Sequence, residues 1–261
     1  ELVPGQNHAY QGGEIMRLLS ATALLLCFAS SLAQAAGNVN VYMAGDSKPK
    51  VLTNAARLID VVGQPRLAQS WWPGAVISER QATALEEQRQ QALLGRLSAL
   101  AAEEEGDDAA AINSMRRQVQ ALRVTGRQLI NLDPDYVRIK TRANPPLEGE
   151  YSLWVGPQPA TVTVLGLVSQ PGKKPFTPGR DVVSYLDEMS LLSGAEKSDA
   201  WLIYPNGRTE KVPVAYWNRR HVEPMPGSVI FVGFAPALWG DRYEVLNADI
   251  LRLLTHRIPE E

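Results

Sequence analysis

The sequence predicts an α+β fold, because three patterns of different periodicity follow one another along the chain. Residues 39–43 alternate apolar and polar side chains as a strand does, residues 50–53 can form the returning strand, and residues 54–62 carry apolar side chains at helical spacing. Residues 78–125 have the pattern of an αα-hairpin, and residues 241–258 that of an amphipathic helix. Strand, strand, helix is the order with which a β-grasp domain begins.

The predicted hairpin has recognisable ends. Ser78 followed by Gln81 matches a capping box, an acidic turn over residues 103–108 separates the two helices, and Gly126 suits the C-cap of the second helix. We therefore predict that the hairpin occupies residues 78–125.

A second unit follows the hairpin. A β-branched strand over residues 161–168, a short helix, a hairpin turn at residues 205–208 and a last strand after Gly227 indicate the order strand–strand–helix–strand–strand–strand. Residues 144–155 and 221–232 both run from a Pro-x-x-Gly segment into an apolar strand. This similarity suggests an internal repeat.

Residues 16–35 have the parts of a cleavable signal peptide: a positively charged start, an apolar core at residues 18–28, and a small-x-small motif at the end. The apolar core is too short to span a bilayer. Cys27 lies in that core without a small residue before it, so we do not expect a lipoprotein. Residues 1–15 are polar and are treated as an extension outside the mature protein. We expect a soluble protein in the periplasm.

Composition argues against several classes of function. The 261 residues carry a formal net charge of −2, and without a clustered basic face we expect no binding of nucleic acid. Cys27 is the only cysteine, so the mature chain is expected to have neither disulfides nor cysteine-bound metal. His221 and His256 lack metal-ligand spacing, and no glycine-rich phosphate loop occurs. We expect no metal and no cofactor.

Two pairs of carboxylates are the candidates for glycan hydrolysis, Asp133 with Asp135 and Glu148 with Glu150. The first pair fits a turn before a strand at residues 136–139, and the second pair fits solvated charges at a strand edge. No Gly-x-Ser-x-Gly nucleophile elbow is present. We therefore expect a binding protein without catalytic residues. A polysaccharide-modifying enzyme and a purely structural scaffold are the alternatives.

The apolar stripe of residues 241–258 leaves two interpretations open. The stripe can dock on its own domain, or it can bind a partner or a membrane surface. The polar face has few lysines and arginines for direct lipid binding, so peripheral membrane contact is the weaker version of the second interpretation. The candidates for partner docking are Leu246, Ile250, Leu253 and Leu254.

Six segments of the chain form a composite pattern: residues 71–75 (Trp-Trp-Pro-Gly-Ala), the hairpin, residues 125–127 (Thr-Gly-Arg), 132–138 (Leu-Asp-Pro-Asp-Tyr-Val-Arg), 144–147 (Asn-Pro-Pro-Leu) and 217–224 (Trp-Asn-Arg-Arg-His-Val-Glu-Pro). Together these segments resemble the GfcC family of capsule biosynthesis proteins. Residues 162–168, 170–172, 178–179, 205–208 and 226–232 are also similar to the soluble-ligand-binding β-grasp (SLBB) domains of Wza-type polysaccharide export proteins.

The resemblance implies two tandem SLBB-like β-grasp domains, over residues 36–156 and 157–236. It implies that the hairpin at 78–125 is inserted in the first domain, and that residues 240–258 form a C-terminal amphipathic helix. The implied role is that of a periplasmic accessory protein in capsule or exopolysaccharide assembly or export. The expected partners are an acidic or neutral capsular polysaccharide and the outer-membrane polysaccharide export protein. The resemblance implies no particular chemistry.

Arg127 is the preferred binding residue, and it corresponds to the arginine of the family's Thr-Gly-Arg motif. Its guanidinium could hold a carboxylate or phosphate through two parallel hydrogen bonds. The structural alternatives are a salt bridge to Asp133 or Asp135, or a contact with the negative end of the preceding helix.

Aromatic residues supply the other candidates. Trp71 and Trp72 would point to opposite faces of a strand, which could leave one ring for a sugar; alternatively, both are half-buried at a domain junction. Trp217, Arg219 and Arg220 suit an acidic polymer, or else form a charged edge strand.

Overall fold

The structure is a computed structural model that describes residues 36–236 and 241–259. The predicted extension over residues 1–15 and the predicted signal peptide over residues 16–35 lie outside the described residues. In chain order, the elements are β1 (Gly37–Met43), β2 (Lys50–Ala55), α1 (Leu58–Val62), β3 (Val76–Glu79), α2 (Arg80–Glu103), α3 (Gly106–Ala121), β4 (Arg127–Gln128), α4 (Pro134–Ile139), β5 (Glu150–Val155), β6 (Thr161–Gly166), β7 (Gly172–Pro175), α5 (Val182–Leu186), β8 (Asp199–Ile203), β9 (Thr209–Pro213), β10 (Val229–Val232) and α6 (Asp241–Thr255).

The first sheet has the strand order β2-β1-β5-β3-β4. β1 and β5 pair in parallel at its centre, and the other neighbours are antiparallel, which is the β-grasp arrangement. Val39 and Val41 on β1 are fully buried, and the alternate residues Asn38 and Asn40 are only partly buried, as the alternation in the sequence predicts. The same core contains Leu58, Val61 and Val62 of α1 and Val137 of α4.

The second sheet repeats this order as β7-β6-β10-β8-β9. Together with α5 it confirms the predicted order of strands and helix, and the two sheets confirm the α+β prediction. The two Pro-x-x-Gly segments lead into β5 and β10, which occupy equivalent central positions. Gly149 and Gly227 precede these strands with φ of 92° and 80°, so glycine is needed at the same place in both repeats.

The hairpin of α2 and α3 is inserted between β3 and β4 of the first sheet, but it packs on the second sheet. The side-chain amide of Gln118 donates to the Gly166 carbonyl and accepts from the Gly166 N–H, which joins α3 to β6. The hairpin residues buried in the core of the second sheet are Leu93, Leu97, Leu100, Ala111, Ile112, Met115 and Val119.

The predicted start of the hairpin is wrong by two residues. Ser78 pairs with Ser152 and Arg127 within the first sheet, so it belongs to β3 and does not cap a helix. The N-cap of α2 is Glu79, whose side chain makes no capping hydrogen bond.

The strand predicted at residues 136–139 is also wrong, because these residues belong to α4. The Asp133 carboxylate accepts hydrogen bonds from the N–H groups of Asp135 and Tyr136, and Pro134 occupies the first turn. This N-cap satisfies the free donors of a helix start and therefore favours a short helix over an extended strand.

The apolar stripe of α6 is part of the protein's own core. Leu246, Ile250, Leu253 and Leu254 are at most 6 % exposed and belong to the cluster that joins the second sheet to the hairpin. The prediction that these side chains dock a partner is therefore wrong, because all four are buried in the protein's own core. Of the helices within residues 36–236 and 241–259, none combines the length and the apolarity needed to cross a membrane.

Candidate functional site

The Thr125-Gly126-Arg127 segment lies where the hairpin, α6 and the first sheet meet. The N–H of Thr125 donates to the His256 carbonyl over 2.8 Å, and the N–H of Gly126 donates to the hydroxyl of Thr83 on α2 over 3.0 Å. A Cβ at Gly126 would lie 2.3 Å from the backbone nitrogen of Thr83. Glycine is therefore required for this close approach. The predicted C-cap role is wrong, because α3 ends at Ala121 with Leu122 as its C-cap.

Arg127 extends from β4 to the second sheet and is only 7 % exposed. Its Nη2 donates to the carbonyl of Pro205 over 2.6 Å, and its Nη1 donates to the carbonyl of Thr255 over 3.4 Å. Neither Asp133 nor Asp135 pairs with it, so the predicted salt bridge is wrong. The helix end that it contacts belongs to α6 and not to the preceding helix.

The electrostatic surroundings of Arg127 are unfavourable for its charge. Burial, and then the nearby charge of Arg257, lower the pKa of Arg127 to about 10. No Asp or Glu among the described residues forms an ion pair with it. Within the part of the chain that the structure describes, the dipoles of the Pro205 and Thr255 carbonyls are what compensates its charge.

The turn between β8 and β9 covers Arg127. Gly207 in this turn has φ of 86°, and a Cβ there would lie 2.5 Å from Leu129 Cδ2 and 3.4 Å from Arg127 Cζ. The Pro205-Asn206-Gly207 turn therefore fits against the guanidinium only with glycine at its third position. The Thr125-Gly126-Arg127 segment and the Pro205-Asn206-Gly207 turn are therefore in direct contact.

A cleft of about 380 Å³, which we call the outer cleft, opens beside this point. It lies within the size range of small-ligand sites. The rings of Tyr42 and Trp154 stand on paired positions of β1 and β5 and are stacked, with centroids 5.2 Å apart and planes within 10°. The aromatic and cationic residues that line the outer cleft are Tyr42, Trp71, Trp154, Arg123 and Lys173. The segment of residues 156–161 lines one side of it.

The outer cleft continues into a narrower space of about 70 Å³, which we call the inner chamber. Trp71 and Lys173 line both spaces. Arg127 and Arg257 line the inner chamber but not the outer cleft, and Arg257 donates hydrogen bonds to the carbonyls of Leu254 and Gly227. The outer cleft and the inner chamber together form the junction cleft.

A separate cleft of about 450 Å³ lies against Trp72 and brings three of the predicted residues together: Trp72, Arg127 and Asp133. Asp133 already accepts two hydrogen bonds at the N-terminus of α4. This structural role is in line with its predicted position in a turn. Asp135 is exposed, pairs with Arg138 over 2.9 Å and does not line this cleft.

Trp71 and Trp72 are both half-buried, and each lines a different cleft. They do not lie on a strand, because Trp72 begins a short 3₁₀ turn over Trp72–Gly74 and Trp71 precedes it. The different directions of their side chains therefore come from this turn and not from strand alternation.

Trp217, Arg219 and Arg220 line none of these three clefts. They belong to an irregular segment after β9, so the alternative of an edge strand is wrong. Arg219 pairs with Asp181 over 3.3 Å, and Arg220 pairs with Glu210 over 2.7 Å. Trp217 is 75 % exposed.

Five of the aromatic and cationic residues that line the junction cleft are not predicted from the sequence: Tyr42, Trp154, Arg123, Lys173 and Arg257. The first two become neighbours only through the parallel pairing of β1 with β5 across more than a hundred residues. Within residues 36–236 and 241–259, no three His, Asp or Glu side chains converge as metal ligands would.

Comparison with known proteins identifies the same family for both halves of the chain. A family model described as "Capsule biosynthesis GfcC, N-terminal" matches residues 35–158, and one described as "Capsule biosynthesis GfcC C-terminal" matches residues 170–259. The chain is also 63 % identical over 238 residues to "Uncharacterized protein YjbG" of Escherichia coli (strain K12). That match covers 91 % of this chain and 97 % of its relative.

Proposed function

The chain belongs to the GfcC family of capsule biosynthesis proteins, and on this basis we propose that it binds polysaccharide in the junction cleft. It acts in the periplasm as an accessory protein of capsule or exopolysaccharide assembly or export. It contributes binding and no bond cleavage.

The outer cleft is the observation that supports this proposal. Sugars expose flat apolar ring faces together with polar edges, and aromatic side chains with one apolar face and a polar edge suit both. Tyr42, Trp71 and Trp154 are half-buried or exposed around one cleft, and the stack of Tyr42 on Trp154 fixes both rings before a ligand arrives. Side chains that are already held in place lose less entropy when they bind a ligand.

Binding of polymer by the purified protein tests the proposal. We expect the wild type to be retarded in affinity electrophoresis through gels that contain the exopolysaccharide of its own strain. Trp71→Ala should weaken this retardation about tenfold or more, because central aromatic residues contribute most strongly to binding.

Trp217→Ala is the matched control, since it removes the same kind of side chain from a site outside the clefts. Thermal unfolding shows whether each variant is folded. Equal retardation of both folded variants would contradict binding in the junction cleft.

The outer-membrane polysaccharide export protein is the proposed partner, and the similarity of the β-grasp segments to Wza-type proteins supports it. Gentle cross-linking in cells, followed by identification of the captured proteins, tests this. Recovery without any export protein, or recovery of the chain only from the cytoplasm after fractionation, would contradict the proposal.

Catalysis is tested by incubating the purified protein with the polymer and following chain length. We expect no change. Shortening that is lost in Asp135→Asn would instead identify a polysaccharide-modifying enzyme. A protein that binds no polymer yet is needed for its export would be a scaffold.

A further inference from the structure

We propose that the junction cleft selects an acidic sugar unit, whose ring lies in the outer cleft and whose carboxylate enters the inner chamber toward Arg127. This inference rests on the proposed function, since it names the class of glycan that the cleft binds. The observations that support it are the sign of the charges along the cleft, the state of Arg127 and the sizes of the two spaces.

The described side chains that line the junction cleft carry charge of one sign. They include the cations of Arg123, Arg127, Lys173 and Arg257, and no aspartate or glutamate. The protein as a whole is slightly acidic, with a formal net charge of −2. A cleft lined by one sign of charge, with apolar walls, concentrates ligands of the opposite sign.

Arg127 is a buried cation without an anionic partner among the described residues. Two of the five N–H groups of its guanidinium donate to backbone carbonyls, and the others have no acceptor within residues 36–236 and 241–259. Burial and Arg257 already disfavour its charge. A carboxylate in the inner chamber would supply the missing charge and could accept two parallel hydrogen bonds from the planar guanidinium.

The two spaces have the sizes that such a ligand needs. The inner chamber of about 70 Å³ has room for only a few water-sized groups, which suits a carboxylate and excludes a sugar ring. The outer cleft of about 380 Å³ can take a ring. Trp71 lines both spaces, so a ring against this side chain can place its substituent in the chamber.

Carboxyl reduction of the polymer provides a direct test. The exopolysaccharide of the protein's own strain is compared before and after carbodiimide-activated borohydride reduction, which converts carboxylates to primary alcohols. We expect the reduced polymer to bind about tenfold or more weakly, because hydrogen bonds to charged groups are stronger than those between neutral groups.

Variants locate the effect in the cleft. Arg127→Gln should remove the preference for native over reduced polymer, whereas Arg127→Lys should keep part of it. Arg123 is exposed, and its side chain contacts no acceptor among the described residues. Arg123→Gln should therefore leave the fold intact and lower the affinity for native polymer severalfold. Arg220→Gln, outside the cleft, is the matched control and should change nothing.

The outcomes separate this inference from the proposed function. Equal binding of native and reduced polymer, or a polymer without any acidic sugar, overturns the acidic-sugar inference and leaves glycan binding intact. Binding of neither polymer refutes the proposed function itself. Competition by inorganic phosphate at the same concentrations as glucuronate would show a general anion site and would overturn the assignment to a carboxylate.

Discussion

Replacement of Leu254 by alanine should destabilise the protein strongly, because the α6 stripe is core. Leu254 is 1 % exposed and packs in the cluster that joins α6, the hairpin and the second sheet. Truncation of a fully buried leucine costs about 2–5 kcal/mol, and for a chain of this length each kcal/mol lowers the Tm by about 2–4 °C. We therefore expect a loss of about 3 kcal/mol and a decrease in Tm of about 6–12 °C.

Urea denaturation followed by circular dichroism measures this loss. Val245→Ala is the matched control, because Val245 lies on the same helix and is 54 % exposed. The control should stay within about 0.5 kcal/mol of the wild type. If Leu254→Ala destabilised the protein as little as Val245→Ala, α6 would not be packed on the core in solution. Its apolar stripe would then be available to a partner. Deletion of residues 241–261 should, for the same reason, leave an unstable protein.

Two further substitutions test the junction. Gly126→Ala should cost about 1–3 kcal/mol in urea denaturation, because the new Cβ would meet the backbone of Thr83; Gly95→Ala, in the middle of α2 with open space around it, should instead stabilise by about 0.5–1 kcal/mol. Burial raises the pKa of Glu86. Hydrogen bonds and charges from Arg252 and its neighbours outweigh this effect, so the pKa of Glu86 lies below its ordinary value. The ionised Glu86 therefore contributes stability above the ordinary glutamate pKa of about 4.3, which is lost as the pH falls through the lowered value. Glu86→Gln should lower the free energy of unfolding by about 1–3 kcal/mol at pH 7 and reduce the further loss of stability at low pH. An unchanged pH profile of Tm would contradict this prediction.

The element order could be predicted because the signals for it are local. The alternation around Val39 and Val41 and the apolar spacing of the hairpin are properties of short windows, and both elements are present. Where the local pattern fits both a helix start and a strand, pairing with strands distant in sequence determines which of the two forms. Ser78 has the pattern of a helix cap, but β5 and β4 hold it in a strand.

The site could be predicted only in part. Arg127, Trp71 and Trp72 stand out in the sequence because of residue type and motif. The structure places Arg127 and Trp71 in the junction cleft and Trp72 in the separate cleft. Tyr42 and Trp154 carry no local signal for a site, since they become a stacked pair only through the register of β1 with β5.

By itself, the sequence determined that the chain is an α+β protein with two similar units, a helical hairpin and a terminal amphipathic helix, because short-range periodicity encodes these features. Only the tertiary structure decided what the apolar faces cover and which charges are compensated. The stripe of α6 pairs with the hairpin and the second sheet because burial of apolar area depends on surfaces distant in sequence. Arg127 is buried without a carboxylate partner among the described residues for the same reason: its surroundings come from β4, the Pro205 turn and the end of α6, which the fold alone brings together.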